Sequence, residues 1–270
     1  MIKNMESLPQ RKKLTNIVRT IARQHIMPHF GRVTRQYKAD SSIVTDVDIA
    51  TQAALVEQLQ KHWPEFDFLA EEMTPEQQQQ QMANHEQGLW IVDPLDGTSN
   101  FAAGIPYFAI SVALYTQGEI SLGLVYDPNR DEAFFARVNE PAMLNEKQIE
   151  PAVAPKELAR TIGVIDFKRL PAQLAARLAT QQPFSSQRSF GSVALDWCWL
   201  AANRFHIYLH GRSNIWDYAA GELIFRQAGG HSCTLQGESI FSPQLTPRSA
   251  VAAMDSGHFE QWCNFLDVPH

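Results

Sequence analysis

The sequence predicts an α/β (α+β) fold, from three observations. Residues 106–137 read as an antiparallel meander, because Ile120, Leu122, Leu124 and Tyr126 recur with the period of two that a strand requires. From 161 onward, strand-like and helix-like segments alternate, as in α/β layers. At 270 residues and 44% hydrophobic content, the chain can bury a core large enough for one domain. The expected organisation is a single domain, 1–270, with an N-terminal α+β half to about 150 and a C-terminal α/β half from about 151. The stretch near 140–157, rich in Pro, Ala and Glu, is the seam between them.

The elements follow in order. Leu14, Ile17, Val18 and Ile21 fall at i, i+3, i+4 and i+7, so residues 8–27 form an amphipathic helix that Pro28 ends. Residues 31–43 read as a loop. A second helix covers about 48–62, with Thr45, Asp46 or Asp48 as N-cap. Phe66–Ala70 is a strand ending at Glu71-Glu72. The polar run from Glu76 through Gln77–Gln81 reads as an exposed, mobile loop. Pro106–Tyr115 is a strand, turning at Gln117-Gly118 into a second. Asp127-Pro128-Asn129-Arg130 turns into a third at 132–137. In the second half, strands fall at 161–166, 205–209, 231–235 and 249–254. Helices fall at 171–181, 192–202, 215–227 and 256–266, with Gly229-Gly230 stopping the third of these.

Charge and cysteine usage narrow the function. A net charge of -6 disfavours nucleic acid as the main partner. Cys198, Cys233 and Cys263 are widely spaced, with no C-x-x-C pair, so neither a zinc site nor a disulfide framework is expected. The N-terminal residues lack the apolar segment of a signal peptide, and no apolar run has membrane-spanning length. A cytoplasmic protein without a membrane partner is the expectation.

The chemistry concentrates in Trp90-Ile91-Val92-Asp93-Pro94-Leu95-Asp96-Gly97-Thr98-Ser99-Asn100-Phe101. A buried strand delivers two carboxylates three residues apart, and Pro94 holds Asp93 extended. Gly97 lets another group approach the backbone, and Thr98, Ser99 or Asn100 can cap a following helix. Two acids beside an anion-attracting helix start make sense only with a cation, hence a metal-assisted phosphate site. Asp48, Glu71 and Asp217 also stand at strand or helix ends. Mg²⁺ takes one or two carboxylates per ion and keeps waters and phosphate oxygens. Two ions sharing Asp93 would clamp a phosphate ester, and a water acidified by one of them would attack. Thr98 is placed in sequence to hold that water, with an acid such as Asp48 accepting the threonine proton.

Asp93-Pro94-Leu95-Asp96-Gly97-Thr98 resembles a signature of the inositol monophosphatase family of Mg²⁺-dependent, lithium-sensitive phosphatases. Trp216-Asp217-Tyr218-Ala219-Ala220-Gly221 with Gln227-Ala228-Gly229-Gly230 is similar to the second family signature. Val44–Asp48 and Ala70-Glu71-Glu72 match two lesser motifs in the right order, so the resemblance spans the first helix to about residue 255. It implies a layered α-β-α-β-α sandwich, the sugar phosphatase fold. It also implies two or three Mg²⁺ ions held by Glu71, Asp93, Asp96, Asp217 and the Leu95 carbonyl. Thr98 and Asp48 would activate water, with Glu71 assisting. The phosphate and its alcohol would meet Lys38, Asp96, Gly97, Thr98, Ser99, Gly191, Ser192, His210 and Asp217. A small phosphorylated metabolite as partner and a homodimer are implied as well.

Two positions depart from the family pattern. Ala70 replaces a commoner glycine. His210 stands where inositol-specific members carry a glutamate, and a histidine cannot accept the same hydroxyl hydrogen bonds. The histidine fits another sugar phosphate or a second phosphate, with His210 and Arg212 as plain surface residues the alternative. Fructose-1,6-bisphosphatase, 3′-phosphoadenosine phosphatase and histidinol-phosphate phosphatase activities are the rivals within the family. An interaction protein retaining the fold is the rival outside it.

Overall fold

The computed structural model describes residues 8–34, 36–37, 43–85, 87–150 and 155–270. Helix α1 (Arg11–Ile21) runs on through a π-helical turn (Ala22–Ile26) and a 3-10 turn (Met27–His29) that contains Pro28. β1 (Gln36–Tyr37) and β2 (Ile43–Val44) pair antiparallel inside the stretch expected to be loop. Then come α2 (Asp46–His62), β3 (Asp67–Ala70), α3 (Pro75–Ala83), β4 (Leu89–Asp96) and α4 (Thr98–Ala103). The meander is β5 (Ala109–Thr116), β6 (Glu119–Asp127) and β7 (Glu132–Arg137), extended by the hairpin β8 (Met143–Leu144) and β9 (Lys147–Gln148). The second half holds β10 (Ile162–Asp166), α5 (Ala172–Thr180), β11 (Ser186–Arg188), α6 (Val193–Ala201) and β12 (Ile207–Ser213). α7 (Ile215–Gln227), β13 (His231–Cys233), β14 (Arg248–Ala253) and α8 (Ser256–Leu266) close the chain.

Among the described residues, β3 to β9 form a seven-stranded sheet in sequence order, antiparallel except for the β3–β4 pair. The second sheet has the order β11-β10-β12-β14-β13 and mixes parallel with antiparallel pairs. α1 and α2 cover one face of the first sheet, Leu14, Val18, Leu55 and Leu59 packing on Trp90, Val112 and Leu124. Its other face (Ile91, Ala113, Phe134) packs on α6 and α7 through Trp197, Tyr218 and Leu223. The same two helices meet Tyr208, Ala250 and Ala252 of the second sheet. α8 and α5 close the far side, with Trp262 and Leu178 against Leu209 and Val251. The five layers run α-β-α-β-α, as the resemblance implies.

The central helices explain their own composition. A helix sandwiched between two sheets is apolar all round, and α6 buries every residue but Trp199. β6 is likewise buried on both faces after its first residue, so its alternation separates two cores rather than core from solvent. A register shift beside Tyr115 turns Ile120 toward the α6/α7 core, while Leu122, Leu124 and Tyr126 face α1 and α2.

A further expectation fails. The polyglutamine stretch is helix α3, not loop. Thr74 and Gln77 exchange side-chain-to-backbone hydrogen bonds as a capping box, and Pro75 occupies the first turn. Glutamine is a good helix former, and its low complexity hid that propensity. Beyond composition, no helix among the described residues is long and apolar enough to cross a membrane.

The close approach of α7 to the first sheet depends on Gly123. A Cβ there would lie 2.7 Å from the Ala220 carbonyl oxygen, a backbone atom that cannot swing away. Gly123→Ala should lower unfolding stability by about 1–3 kcal/mol or more, read from the urea midpoint at unchanged m-value.

Candidate active site

A cavity of about 330 Å³ opens where strand ends of the first sheet meet β10, β12 and the start of α7. Glu71, Asp93, Leu95, Asp96, Gly97, Thr98, Ser99, Gly191, Ser192, His210 and Asp217 all line it. Of the expected residues, Asp48 stands behind the wall and Lys38 lies outside the described residues.

β4 places the first two acids. Residues three apart in a regular strand face opposite sides. Here Asp93 pairs with Ser111 but Asp96 with Ala109, so β4 carries one extra residue across Pro94-Leu95 and both carboxylates reach the cavity. Pro94 donates no ladder bond, which allows the break. Gly97, with φ at +95°, turns the chain into α4; it is the N-cap, in place of the expected hydroxyl side chains. A Cβ there would come 3.0 Å from the Tyr107 carbonyl oxygen and 3.3 Å from that of Gly191. Glycine is therefore required twice over, by conformation and by space.

Helix capping places the others. Asp48 is the third residue of α2, and its Oδ2 accepts from the Thr45 amide at 2.8 Å and the Thr45 hydroxyl at 2.6 Å. Its Oδ1 accepts from Thr98 Oγ1 at 2.9 Å. One carboxylate thus caps a helix and holds Thr98, so the structural and chemical readings of Asp48 coexist. Asp217 is the third residue of α7, lines the cavity and accepts from the Asn214 amide at 2.8 Å through Oδ2. Glu71 leaves the end of β3, where its amide bonds the Val92 carbonyl. Gln78 of α3 donates its amide to the carbonyls of both Ala70 and Glu71, each at 3.1 Å. The low-complexity run, read as chemically silent, therefore braces the strand end that delivers Glu71.

Electrostatics in the cavity are unbalanced. Burial raises Asp93 well above the usual carboxylate range, and Glu71, Asp96 and Asp217 push it further. Asp217 is raised by burial, then by Asp96 and Glu71. Burial lifts Asp96 to about 6, although the Ser192 hydroxyl at 2.6 Å and the Ala194 amide at 2.7 Å bond its Oδ2 and hold it down. Burial also raises Asp48, against its hydrogen bonds from Thr45 and Thr98. Acids that raise one another across a desolvated space call for positive charge.

A hard divalent cation fits this donor set, which is oxygen only. Among the described residues no three acidic, histidine or cysteine side chains form a ready-made metal cage. Mg²⁺ takes one or two carboxylates and fills its octahedron with waters and ligand oxygens. Asp93 commits Oδ1 to the Leu95 amide at 2.9 Å, leaving the other oxygen for such an ion.

The second half supplies the opposite wall. Ser192 caps α6 while its hydroxyl donates to Asp96. Asn100 ties α4 to the facing loop through the carbonyls of Tyr107 and Phe190. His210, 2% exposed, points Nε2 at Asp166 Oδ2 across 3.0 Å. Burial holds its pKa down against the pull of Asp166, and its Nε2 bonds the carboxylate. Asp166 itself stays ionised: burial opposes this, but bonds from His210 and Arg169 hold it well below the usual range. Arg212 is exposed and takes no part in the lining. Ser99 sits exposed at the rim.

Sequence reasoning missed Asp166, Lys168, Arg169, Asp196 and Gln78, and offered Asn100 only as a helix cap. Asp166 faces His210 because β10 and β12 pair in parallel with those residues in register, and no local pattern encodes that. Asp196, buried and raised by burial, accepts from the Tyr107 hydroxyl at 2.9 Å and reads in sequence as one acid in an apolar helix.

The five-layer sandwich, with carboxylates gathered at one cavity, marks the inositol monophosphatase fold class. A model of the inositol monophosphatase family matches residues 9–264, and the chain belongs to that family. A protein named Nus factor SuhB from Pasteurella multocida is 34% identical over 80% of this chain and 79% of its own. An inositol-1-monophosphatase from Caulobacter vibrioides is 32% identical over 83% of this chain and 94% of its own. Among solved structures, a Thermotoga maritima IMPase superposes with a TM-score of 0.81 at 27% identity, covering 95% of this chain and 97% of its own. The suhB protein of Bartonella henselae gives 0.77 at 28% identity, over 93% and 94%.

Asp96 generates a pH-dependent prediction. Its folded pKa is raised, so the stability it permits is full below pH 4 and is lost as pH rises through about 6. In chelator, the unfolding stability of Asp96→Asn relative to wild type should therefore grow between about pH 4 and pH 6.5. Denaturant melts across that range would test this; a flat difference would contradict it.

Proposed function

We propose that the protein is a Mg²⁺-dependent phosphomonoesterase that hydrolyses a small phosphorylated polyol or sugar. The observation that carries this reading is the 2.9 Å hydrogen bond between Thr98 and Asp48, fifty residues apart, beside the raised carboxylates. Glu71, Asp93, Asp96, Asp217 and the Leu95 carbonyl would hold the ions. When bound, Mg²⁺ supplies charge for the entering and leaving oxygens and acidifies water.

The chain's own groups do the rest. Asp48 takes the Thr98 hydroxyl hydrogen, which leaves the threonine oxygen's lone pairs to accept a hydrogen from the attacking water. The Leu95 carbonyl, 3.0 Å from the same hydroxyl, fixes its position. As Thr98 takes the water's proton, its own moves to Asp48, whose raised pKa suits a base. Glu71 assists the same water. The amides of Gly97 and Thr98, with Ser99, receive the phosphate. Gly191 and Ser192 would face the alcohol, with His210 behind them, bonded to Asp166. Attack is direct, with inversion at phosphorus; the three cysteines are buried away from this work. The family likeness supports Lys38 near the phosphate, a homodimer and a cytoplasmic location as parts of the same proposal.

Several relatives carry the name Nus factor, which favours a second reading: an interaction protein that keeps the fold. The net charge of -6 weighs against nucleic acid as its direct partner.

The deciding experiment is phosphate release over inositol phosphates, sugar phosphates and 3′-nucleotides, with Mg²⁺ and with added Li⁺. Release that requires Mg²⁺, is inhibited by Li⁺ and peaks at neutral to alkaline pH is expected. No release from any substrate would favour the interaction reading. Asp93→Asn should retain the fold by circular dichroism yet fall below a few per cent of wild-type turnover; higher activity would refute its bridging role.

A further inference from the structure

The cavity has a cationic side that the hydrolytic chemistry does not use. Lys168 and Arg169 end the 3-10 turn Phe167–Arg169 after β10, and both line the cavity opposite the acids. This turn is held firmly. A Cβ on Gly211 would lie 2.0 Å from the Arg169 carbonyl oxygen, so the backbone of β12 touches the turn directly. Asp166 caps the turn through the Lys168 amide at 3.1 Å and bonds Arg169 Nη1 at 3.0 Å. His210, buried behind, takes up the same Asp166 oxygen and lies 3.4 Å from Arg169 Nη1.

Arg169 is therefore braced through a single nitrogen. Among the described residues its Nε and Nη2 donate to nothing, although a guanidinium offers donors in a planar fork. An arginine whose only task was to neutralise Asp166 would use that fork bidentately. Its charge also reaches across the cavity, lowering the pKa of Asp96 and Asp217. The Asp166–His210 pair fixes the side chain in advance, which reduces the ordering cost of binding. A neutral polyol would leave the remaining nitrogens of that cation without an anionic partner.

We propose that Arg169, braced by Asp166 and His210 and flanked by Lys168, recognises a second anionic group on the alcohol portion of the substrate. The preferred substrate would then be a phosphate monoester that also carries a phosphate or carboxylate. This rests on the phosphomonoesterase reading and narrows its substrate class. Arg169 is a specificity residue and Asp166 a positioning residue.

The test compares matched substrates. Fructose 1,6-bisphosphate against fructose 1-phosphate reports a second phosphate, and 3-phosphoglycerate against glycerol 3-phosphate reports a carboxylate. Wild type should favour the doubly anionic member of at least one pair by roughly tenfold or more in kcat/KM, mainly through KM. Arg169→Gln should bring the two members of that pair to within about twofold, and Arg169→Lys should keep part of the preference. Asp166→Asn should raise KM for the doubly anionic member while kcat changes little. Equal kcat/KM within both pairs in wild type would overturn the subsite while leaving the phosphatase reading standing. A loss on Arg169→Gln that is equal for all four substrates would do the same. Calorimetry with fructose 6-phosphate and neutral fructose separates the two proposals. Phosphate-dependent binding lost in Arg169→Gln, with no hydrolysis of anything, would sink the phosphatase reading and keep the subsite. Binding unchanged by the substitution would sink the subsite.

Discussion

Everything about the cavity follows from bringing Asp93, Asp96, Asp217 and Glu71 into one partly desolvated space. Like charges so placed raise one another's pKa, and a fold that tolerates this carries an electrostatic penalty unless a cation is present. The architecture limits that penalty by giving each of the three aspartates a backbone amide donor: Leu95 to Asp93, Ala194 to Asp96 and Asn214 to Asp217. These bonds fix the carboxylates before any ligand arrives. They also leave oxygen to offer, so the strain is stored in charge rather than in backbone geometry.

The layers supply rigidity. α7 lies between the two sheets and starts at the cavity, so Asp217 is positioned by packing on both sides. β4 is buried along its length, and its irregularity at Pro94-Leu95 lies where Asp93 and Asp96 must face one way. α2 contributes from the outer layer through the capping bonds of Asp48, and α3, following β3, through Gln78 on the carbonyl of Glu71. Distances near 3 Å are thus controlled by elements from three layers. Side chains held this way are fixed in place before any ligand arrives.

The two walls divide the labour. The wall from the first sheet and α7 is acidic and suits ions and phosphate. The wall from β10, β12 and the turn between β10 and α5 carries Asp166, His210, Lys168 and Arg169. The sequence places His210 against the substrate's alcohol, and its partners show a different setting. It is not a free ring facing substrate but a buried brace, bonded to Asp166. The arginine it supports is the group that faces outward.

Much of this was legible in sequence. Period-two and period-3.6 patterns fixed most elements to within a few residues, because burial leaves a mark on local order. The run from Asp93 to Thr98 announced the acids and their glycine, because strand, proline and αL turn are all local chemistry. The helical state of Pro75–Ala83 was equally local but masked by composition. Contacts across the fold leave no local mark. Thr98 is paired with Asp48, 50 residues away, by resemblance. Ser192 meets Asp96 and Asp166 meets His210 only through packing of segments 96 and 44 residues apart, which was not legible. The sequence by itself determined which carboxylates exist and on which element ends they stand. The tertiary structure alone decided which of them share a dielectric cavity, since Coulomb interaction depends on distance in space and not along the chain.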